Sequence, residues 1–245
     1  MPAELKEEIR FPVGPDKELR LTTAPDVFVP NITTVLLIEA VRGTVTSPVK
    51  LLDLGCGTGV VGLALHQDGL VKAPLAASDL SPGAVQCSRV NFARYGCPAT
   101  VREGSLFKPW HGEVFDVIVD DISGIAQDVA AISPWFQGVP CETGKDGTNL
   151  VAEILRSAPD HLEENGILFF PVLSLSNTKM LLQIARETFK TVERVAQRQW
   201  PLPPELKPHL PLLRELHQAG SVTIEEKFGM VLCCTEVYRA SNPAS

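Results

Sequence analysis

The stretch Leu51-Leu52-Asp53-Leu54-Gly55-Cys56-Gly57-Thr58-Gly59-Val60 constrains this chain most. The apolar run over 49–54 reads as a buried parallel strand, and 60–70 reads as the helix that follows it. Between them lies a turn rich in glycine. Such a turn lets the backbone bend sharply and come close to a ligand, while the amides of the helix N-terminus face it. An apolar strand feeding a helix through so short a turn belongs in a parallel α/β sheet. Open sheets of that kind bind ligands at the carboxyl ends of their strands, where Asp53 stands.

The rest of the chain supplies more units of the same kind. Residues 73–78 form a second strand ending at Asp79, and Asp79 or Ser81 can cap the helix over 82–95, with Pro82 in its first turn. A third strand over 100–103 leads to Gly104-Ser105-Leu106-Phe107. A fourth, over 115–119, delivers Asp120-Asp121-Ile122-Ser123-Gly124 to the mouth of the sheet. Later come a helix over 149–163, a fifth strand over 167–172, a helix over 177–189, a sixth strand over 191–199 and a last strand over 229–239. The pattern predicts a doubly wound, Rossmann-like α/β sandwich with a seven-stranded, mostly parallel sheet whose last strand runs antiparallel. Residues 1–48 form an N-terminal extension ahead of a ligand-binding, catalytic domain over 49–245. A proline-rich insertion over 200–220 carries a short helix at 210–217. The first 26 residues mix charge with prolines and read as irregular or short-strand structure, a candidate lid. Thr33 or Thr34 is a candidate cap for the helix over 35–42.

Apolar residues make up 44% of 245 positions, which suffices for a sizeable core and excludes a disordered chain. No apolar run reaches membrane-spanning length, and the charged start over 1–10 lacks a signal-peptide core, so the expectation is a cytoplasmic protein without membrane contact. The formal charge is −7, with no dense Lys/Arg cluster, which argues against nucleic acid as a partner. The six cysteines form no C-x-x-C pair and read as reduced structural thiols, with no metal site expected. Cys233 and Cys234 are expected on opposite faces of a strand. The five histidines lack partner or ligand spacing and read as surface residues.

Chemistry concentrates at two places. The adjacent carboxylates of Asp120 and Asp121 follow a buried strand, where two acids are costly unless solvated or paired. Crowded at a cleft, one would have a raised pKa, as proton abstraction requires. Both are candidate catalytic residues, Asp121 foremost. The loop over 125–147 is long enough to suggest function, and its Trp135 and Phe136 either wall a pocket or pin the loop to the core.

The glycine turn admits two ligand classes. Gly57-Thr58-Gly59-Val60-Val61-Gly62 fits the dinucleotide fingerprint, with Asp79 as the downstream acid. The fuller string Asp-Leu-Gly-Cys-Gly-Thr-Gly resembles motif I of the class I methyltransferases, which bind S-adenosylmethionine (SAM). The acid ahead of the glycines favours SAM, because it repels a pyrophosphate and accepts from an ammonium. The resemblance extends over about 27–238. It is nearest the release-factor glutamine methyltransferases and their small-domain relatives, through Phe28-Val29-Pro30-Asn31-Ile32-Thr33-Thr34, Phe115-Asp116-Val117-Ile118-Val119, and Gly144-Lys145-Asp146-Gly147 with Asn165-Gly166.

This resemblance implies that Gly55, Cys56, Gly57 and Gly59 approach SAM, with Asp53 near its amino-acid end. It implies further that Asp79 and Leu80 hold the ribose side, that Ser105 and Leu106 border the adenine, and that Thr34 belongs to the same site. The group's Asn-Pro-Pro-Tyr motif falls here on Asp121-Ile122-Ser123-Gly124, so the clamp for an amide or a base amine is lost. A carboxylate in that place suits an ammonium. The expected activity is therefore methyl transfer to the amine nitrogen of a small molecule, amino acid or peptide. Two alternatives share the fold. Asp121 or Asp120 could take a proton from SAM's own amine, giving azetidine-2-carboxylate and methylthioadenosine. The chain could also be a SAM-binding module without catalysis.

Overall fold

The computed structural model describes residues 7–122, 124–136, 139 and 142–244. Its centre is a parallel strand, β3 (Leu51–Leu54), preceded in the chain by β1 (Glu7–Gly14), β2 (Lys17–Thr23) and helix α1 (Ile32–Arg42). Parallel to β3 lie β4 (Leu75–Asp79) and β6 (Phe115–Asp120), with β5 (Ala99–Glu103) outside β4 and β7 (Leu162–Leu173) outside β6. β10 (Met230–Pro243) runs antiparallel between β7 and the edge strand β8 (Phe189–Pro201). The order is β5-β4-β3-β6-β7-β10-β8, the expected seven strands with the last one reversed. A short eighth strand, β9 (Glu225–Lys227), pairs with β10 and was not foreseen, because three charged residues carry no strand pattern.

Alternation along the strands sorts the two cores. Leu51, Val117 and Val119 face one side, with α1, α2 (Val60–Gln67) and α3 (Pro82–Arg94). Leu52, Leu54, Ile118 and Leu168 face the other, with α5 (Asn149–Ser157) and α6 (Thr178–Thr188). Because side chains alternate along a strand, Asp53 points to the first side and Asp120 to the second. Each is fully buried.

β1 and β2 make an antiparallel hairpin whose Phe11, Val13, Leu19 and Leu21 belong to the same apolar cluster as α1, α2 and β3. The cap of α1 differs from expectation. Asn31, not Thr33 or Thr34, accepts from the backbone of the first turn, at 2.8 Å from the Thr33 amide. The hydroxyl of Thr34 accepts from the Asn31 amide in return, completing a capping box with threonine in the usual Glu place.

The stretch after β6 is more ordered than a bare loop. It contains α4 (Gln127–Ile132) and a 3-10 turn, Pro134–Phe136. Ile125 and Val129 share a third core with Leu202, Leu206 and Leu213, so this stretch packs against the insertion over 200–220 and its helix α7 (Leu210–Gln218). Cys233 is buried and Cys234 half-buried, as the strand alternation requires, and the cysteines among the described residues are free thiols. Ser123 and Cys141 lie outside the described residues. Among the described residues no helix is long and apolar enough to cross a membrane.

Candidate active site

The carboxyl ends of β3, β4 and β6 open into a cavity of about 450 Å³. That is within the roughly 300–1,000 Å³ of small-molecule sites. Its floor is the turn after β3. The Cys56 amide donates to the Ser78 carbonyl at 2.9 Å, which ties the turn to β4. Gly57 has φ +52 and an added Cβ would meet nothing nearer than the Phe28 carbonyl at 4.0 Å. The glycine thus leaves open, at the cavity wall, the space a side chain would fill. Gly55 is different in kind. A Cβ there would strike the Ile122 side chain at 2.2 Å, so the segment after β6 rests directly on the glycine turn.

Asp79 accepts from the Gly57 amide and the Ser81 amide, each at 2.9 Å. Ser81 caps α3 through the Ala84 amide at 3.2 Å. Burial raises the Asp79 pKa, and the amides of Ser81, Gly57 and Leu80 oppose that rise. Asn91 of α3 was not singled out from the sequence, yet it locks the assembly. Its carbonyl accepts from the Thr22 amide at 2.7 Å, and its Nδ2 donates to the Thr22 and Thr58 carbonyls at 3.0 and 2.9 Å. An asparagine inside a helical run carries no distinguishing signal; only the fold shows that it bridges β2 and the turn.

Asp121 lines the cavity, and its Oδ2 accepts from the Thr34 hydroxyl at 2.8 Å. Among the described residues no protein group donates to its Oδ1. Burial pushes its pKa up to about 7, against the lowering effect of the Thr34 hydrogen bond. Asp120 turns away. Its Oδ1 accepts from the Ile122 amide at 2.8 Å, and its Oδ2 is buried without a partner among the described residues. Burial holds its pKa well above the usual carboxylate range, with the charge of Asp121 adding to the rise.

The expected site residues therefore divide. Gly55, Cys56, Gly57, Asp79, Leu80, Ser105, Leu106 and Asp121 line one cavity. Asp53, Gly59, Thr34 and Asp120 are not among its lining residues. Asp53 instead holds the first turn of α2 through the Gly62 amide at 2.9 Å. Its pKa is raised to about 8, chiefly by burial, with smaller contributions from Asp121 and Asp79. A Cβ on Gly59 would meet the Phe92 ring at 2.7 Å, so that glycine serves the close approach of α3 to the turn. Burial raises the Cys56 thiol well above its ordinary value, so it stays protonated.

Residues outside the expected set complete the walls. Asp26 and Phe28 enter from the segment before α1, Thr58 from the turn, and Phe136 from the stretch after α4. The rings of Phe28 and Phe136 meet at 5.4 Å. Trp135 pairs instead with Trp200 at 6.0 Å. The two roles considered for these aromatics are thus both present, one residue each.

The donor set fits SAM. Thr58 Oγ1 is a buried polar atom with no partner among the described residues, at a cavity-lining position. Leu80 is 63% exposed and Leu106 takes φ +48, a conformation that non-glycine residues adopt at some cost. Both present apolar surface in the cavity.

Comparison with known proteins agrees. Residues 18–121 match the family described as methyltransferase small domain. The chain is 28% identical over 170 residues to a release factor glutamine methyltransferase of Geobacter sulfurreducens, covering 66% of this chain and 60% of that protein. It is 31% identical over 129 residues to the ribosomal protein uL3 glutamine methyltransferase of Bradyrhizobium diazoefficiens, covering 49% and 40%. The chain thus spans less than two thirds of the curated relatives it matches. Among solved structures, the T. thermophilus 16S rRNA N2 G1207 methyltransferase in complex with AdoMet and guanosine superposes with a TM-score of 0.57 at 16% identity, covering 96% of this chain and 50% of that one. In its strand order and glycine turn the chain has the fold of the class I SAM-dependent methyltransferases, and its sequence is similar to theirs.

Proposed function

We propose that the protein transfers a methyl group from SAM to an amine nitrogen, with Asp121 as the proton acceptor. The observation that carries this reading is the placement of Asp121. It lines the same cavity as the glycine turn, with burial raising its pKa to about 7 and one oxygen that no group among the described residues donates to. SAM supplies the electrophilic methyl group. Gly55, Gly57 and Thr58 would hold its amino-acid end, Asp79 its ribose, and Leu80 with Ser105 and Leu106 its adenine.

The acceptor arrives as an ammonium, which has no lone pair. Asp121 takes one proton and leaves a neutral amine, and that lone pair forms the new N–C bond as the S–C bond breaks. The products are a methylated ammonium and S-adenosylhomocysteine. A carboxyl near 7 is half ionised at neutral pH, which suits that single proton transfer. The remaining demand is orientation, which the packed walls supply.

The glutamine-methylating relatives act on an amide, which is not basic and needs a clamp rather than a base. Here Asp121 stands where that clamp begins, and Ile122 is spent on covering Gly55. Asp120 acts through Ile122, as a positioning residue.

The test is incubation with SAM, first alone and then with a panel of amines, followed by mass spectrometry. S-adenosylhomocysteine that appears only with an amine, and is lost in Asp121→Asn, supports the reading. Methylthioadenosine with a four-carbon cyclic amino acid from SAM alone would replace it by cyclisation. Bound SAM with neither product would leave a binding module.

A further inference from the structure

Among the described residues, acids and aromatic rings line the cavity and no cationic side chain does. Its ionisable lining residues are Asp26, Asp79 and Asp121, and no Lys, Arg or His of the described residues lines it. The sequence makes this systematic. Four of the segments that build the walls, 21–41, 51–65, 73–88 and 113–144, contain no Lys, Arg or His, and near the remaining lining residues, 104–106 and Leu150, the bases Arg102, Lys108 and Lys145 are not among the lining residues. A carboxylate or phosphate on the acceptor, added to the carboxylate that SAM itself carries, would therefore meet like charge with no basic side chain among the described lining residues to pair it, in a partly desolvated space where such repulsion is strong.

Two of the acids are already engaged. Asp79 accepts from two backbone amides. Asp26 lies against the N-terminus of α3, where an added Cβ on Gly83 would touch it at 2.6 Å, and it is 3.4 Å from the Ser81 hydroxyl. The Oδ1 of Asp121 has no donor among the described residues. Opposite the strand ends, Phe28 and Phe136 come together with ring centroids 5.4 Å apart and planes tilted by 45°. Aromatic faces attract a cation most when water is excluded. The two rings come from distant parts of the chain, so their meeting is a product of the fold.

We propose that the acceptor is a cationic organic amine that carries no carboxylate or phosphate, held between the Phe28–Phe136 pair and Asp121. The methyl-transfer reading supplies its role as acceptor; the charge selection rests on the walls themselves. Free amino acids, nucleotides and acidic peptides are excluded as acceptors, while aryl- and alkylamines fit.

The test uses matched pairs that differ only by a carboxylate: 2-phenylethylamine against phenylalanine, and 3-methylbutylamine against leucine. Binding to the S-adenosylhomocysteine-loaded protein is measured by calorimetry, and methyl transfer is followed in parallel with SAM. The expected result is at least tenfold tighter binding of each amine than of its amino acid. Phe136→Leu and Phe28→Leu, each shown folded by its melting transition, are expected to weaken amine binding at least fivefold. Equal or tighter binding of the amino acids, no binding of either amine at millimolar concentration, or unchanged affinity in both leucine variants overturns the proposal. Selective amine binding without methyl transfer would uphold the charge selection and overturn the methyl-transfer reading. Transfer to amine and amino acid alike would do the reverse.

Discussion

Thr34 Oγ1 donates to Asp121 Oδ2 at 2.8 Å across 87 residues of chain. The same hydroxyl accepts from the Asn31 amide, so one atom both closes the cap of α1 and holds the carboxylate at the cavity. Its hydrogen bond opposes the burial that raises the Asp121 pKa to about 7. If Asp121 accepts the proton in its ionised form, as proposed, kcat/KM should rise with pH through about 7 and level off above it. Thr34→Val removes the bond that favours the charged form and should move that limb to higher pH, while Thr34→Ser restores it. The valine variant should also lose about 1 kcal/mol from the cap. A pH–rate profile on wild type and both variants decides the matter, and an unmoved limb in Thr34→Val sinks the assignment.

Gly57 lines the cavity and has positive φ. A Cβ there has room within the protein, its nearest neighbour being the Phe28 carbonyl at 4.0 Å, but it would project at the cavity wall. Gly57→Ala should therefore cost only about 1–2 kcal/mol of stability, from holding alanine at positive φ. SAM affinity should fall at least tenfold. Denaturant unfolding and calorimetry separate the two effects. Equal affinity with lost stability would mean that the glycine serves the turn alone.

How far the sequence carries depends on the range of each interaction. The strands and helices around the glycine turn are legible because their patterns are local, and β4, β6 and α3 fall within a few residues of expectation. The cavity-lining position of Asp79 and Asp121 is legible for the same reason, since Asp79 ends β4 and Asp121 follows the last residue of β6. Asp53 is not: it stands one residue inside β3, where the pleat turns its side chain to α2 and away from the cavity. The meeting of Phe28 with Phe136 and the reach of Asn91 to Thr22 are contacts between distant segments. No spacing along the chain announces them. The shared core of the 200–220 insertion with α4 is hidden likewise.

Asn91 should matter for the fold more than its neutral side chain suggests. It is fully buried and satisfies the Thr22 amide and the Thr22 and Thr58 carbonyls. Asn91→Ala strands those backbone groups, and leaving buried polar groups unpaired should cost on the order of 3 kcal/mol. The hairpin over β1 and β2 should loosen first, because the lost bonds tie it to α3. Hydrogen exchange would show this as faster exchange at the Thr22 amide. Stability within 1 kcal/mol of wild type, with that amide still protected, would count against the bridge.

Asp53 contributes to the pH dependence of stability from inside the sheet, with the same sign as the buried Asp79, Asp120 and Asp121. Its pKa is about 8 in the fold against an ordinary 3.8, so the folded chain holds a proton that the unfolded chain has released. Where the folded state binds more protons, stability falls as pH rises. The loss from Asp53 therefore begins above about pH 4, accumulates to about pH 8 and then stops. Asp121 has the same sign, up to about 7. Asp68 and Asp116, with lowered pKa values from their basic partners and backbone contacts, act only on the acid side of this window. Asp53→Asn keeps an oxygen for the Gly62 amide while removing the buried charge. It should be more stable than wild type at pH 8, by roughly 2–4 kcal/mol, and should lose that advantage near pH 4. Urea unfolding from pH 4.5 to 9 without ligand tests it. A variant that is less stable than wild type at pH 8, with the wild-type slope intact, would show that Asp53 is ionised in the fold and paired with something other than the Gly62 amide.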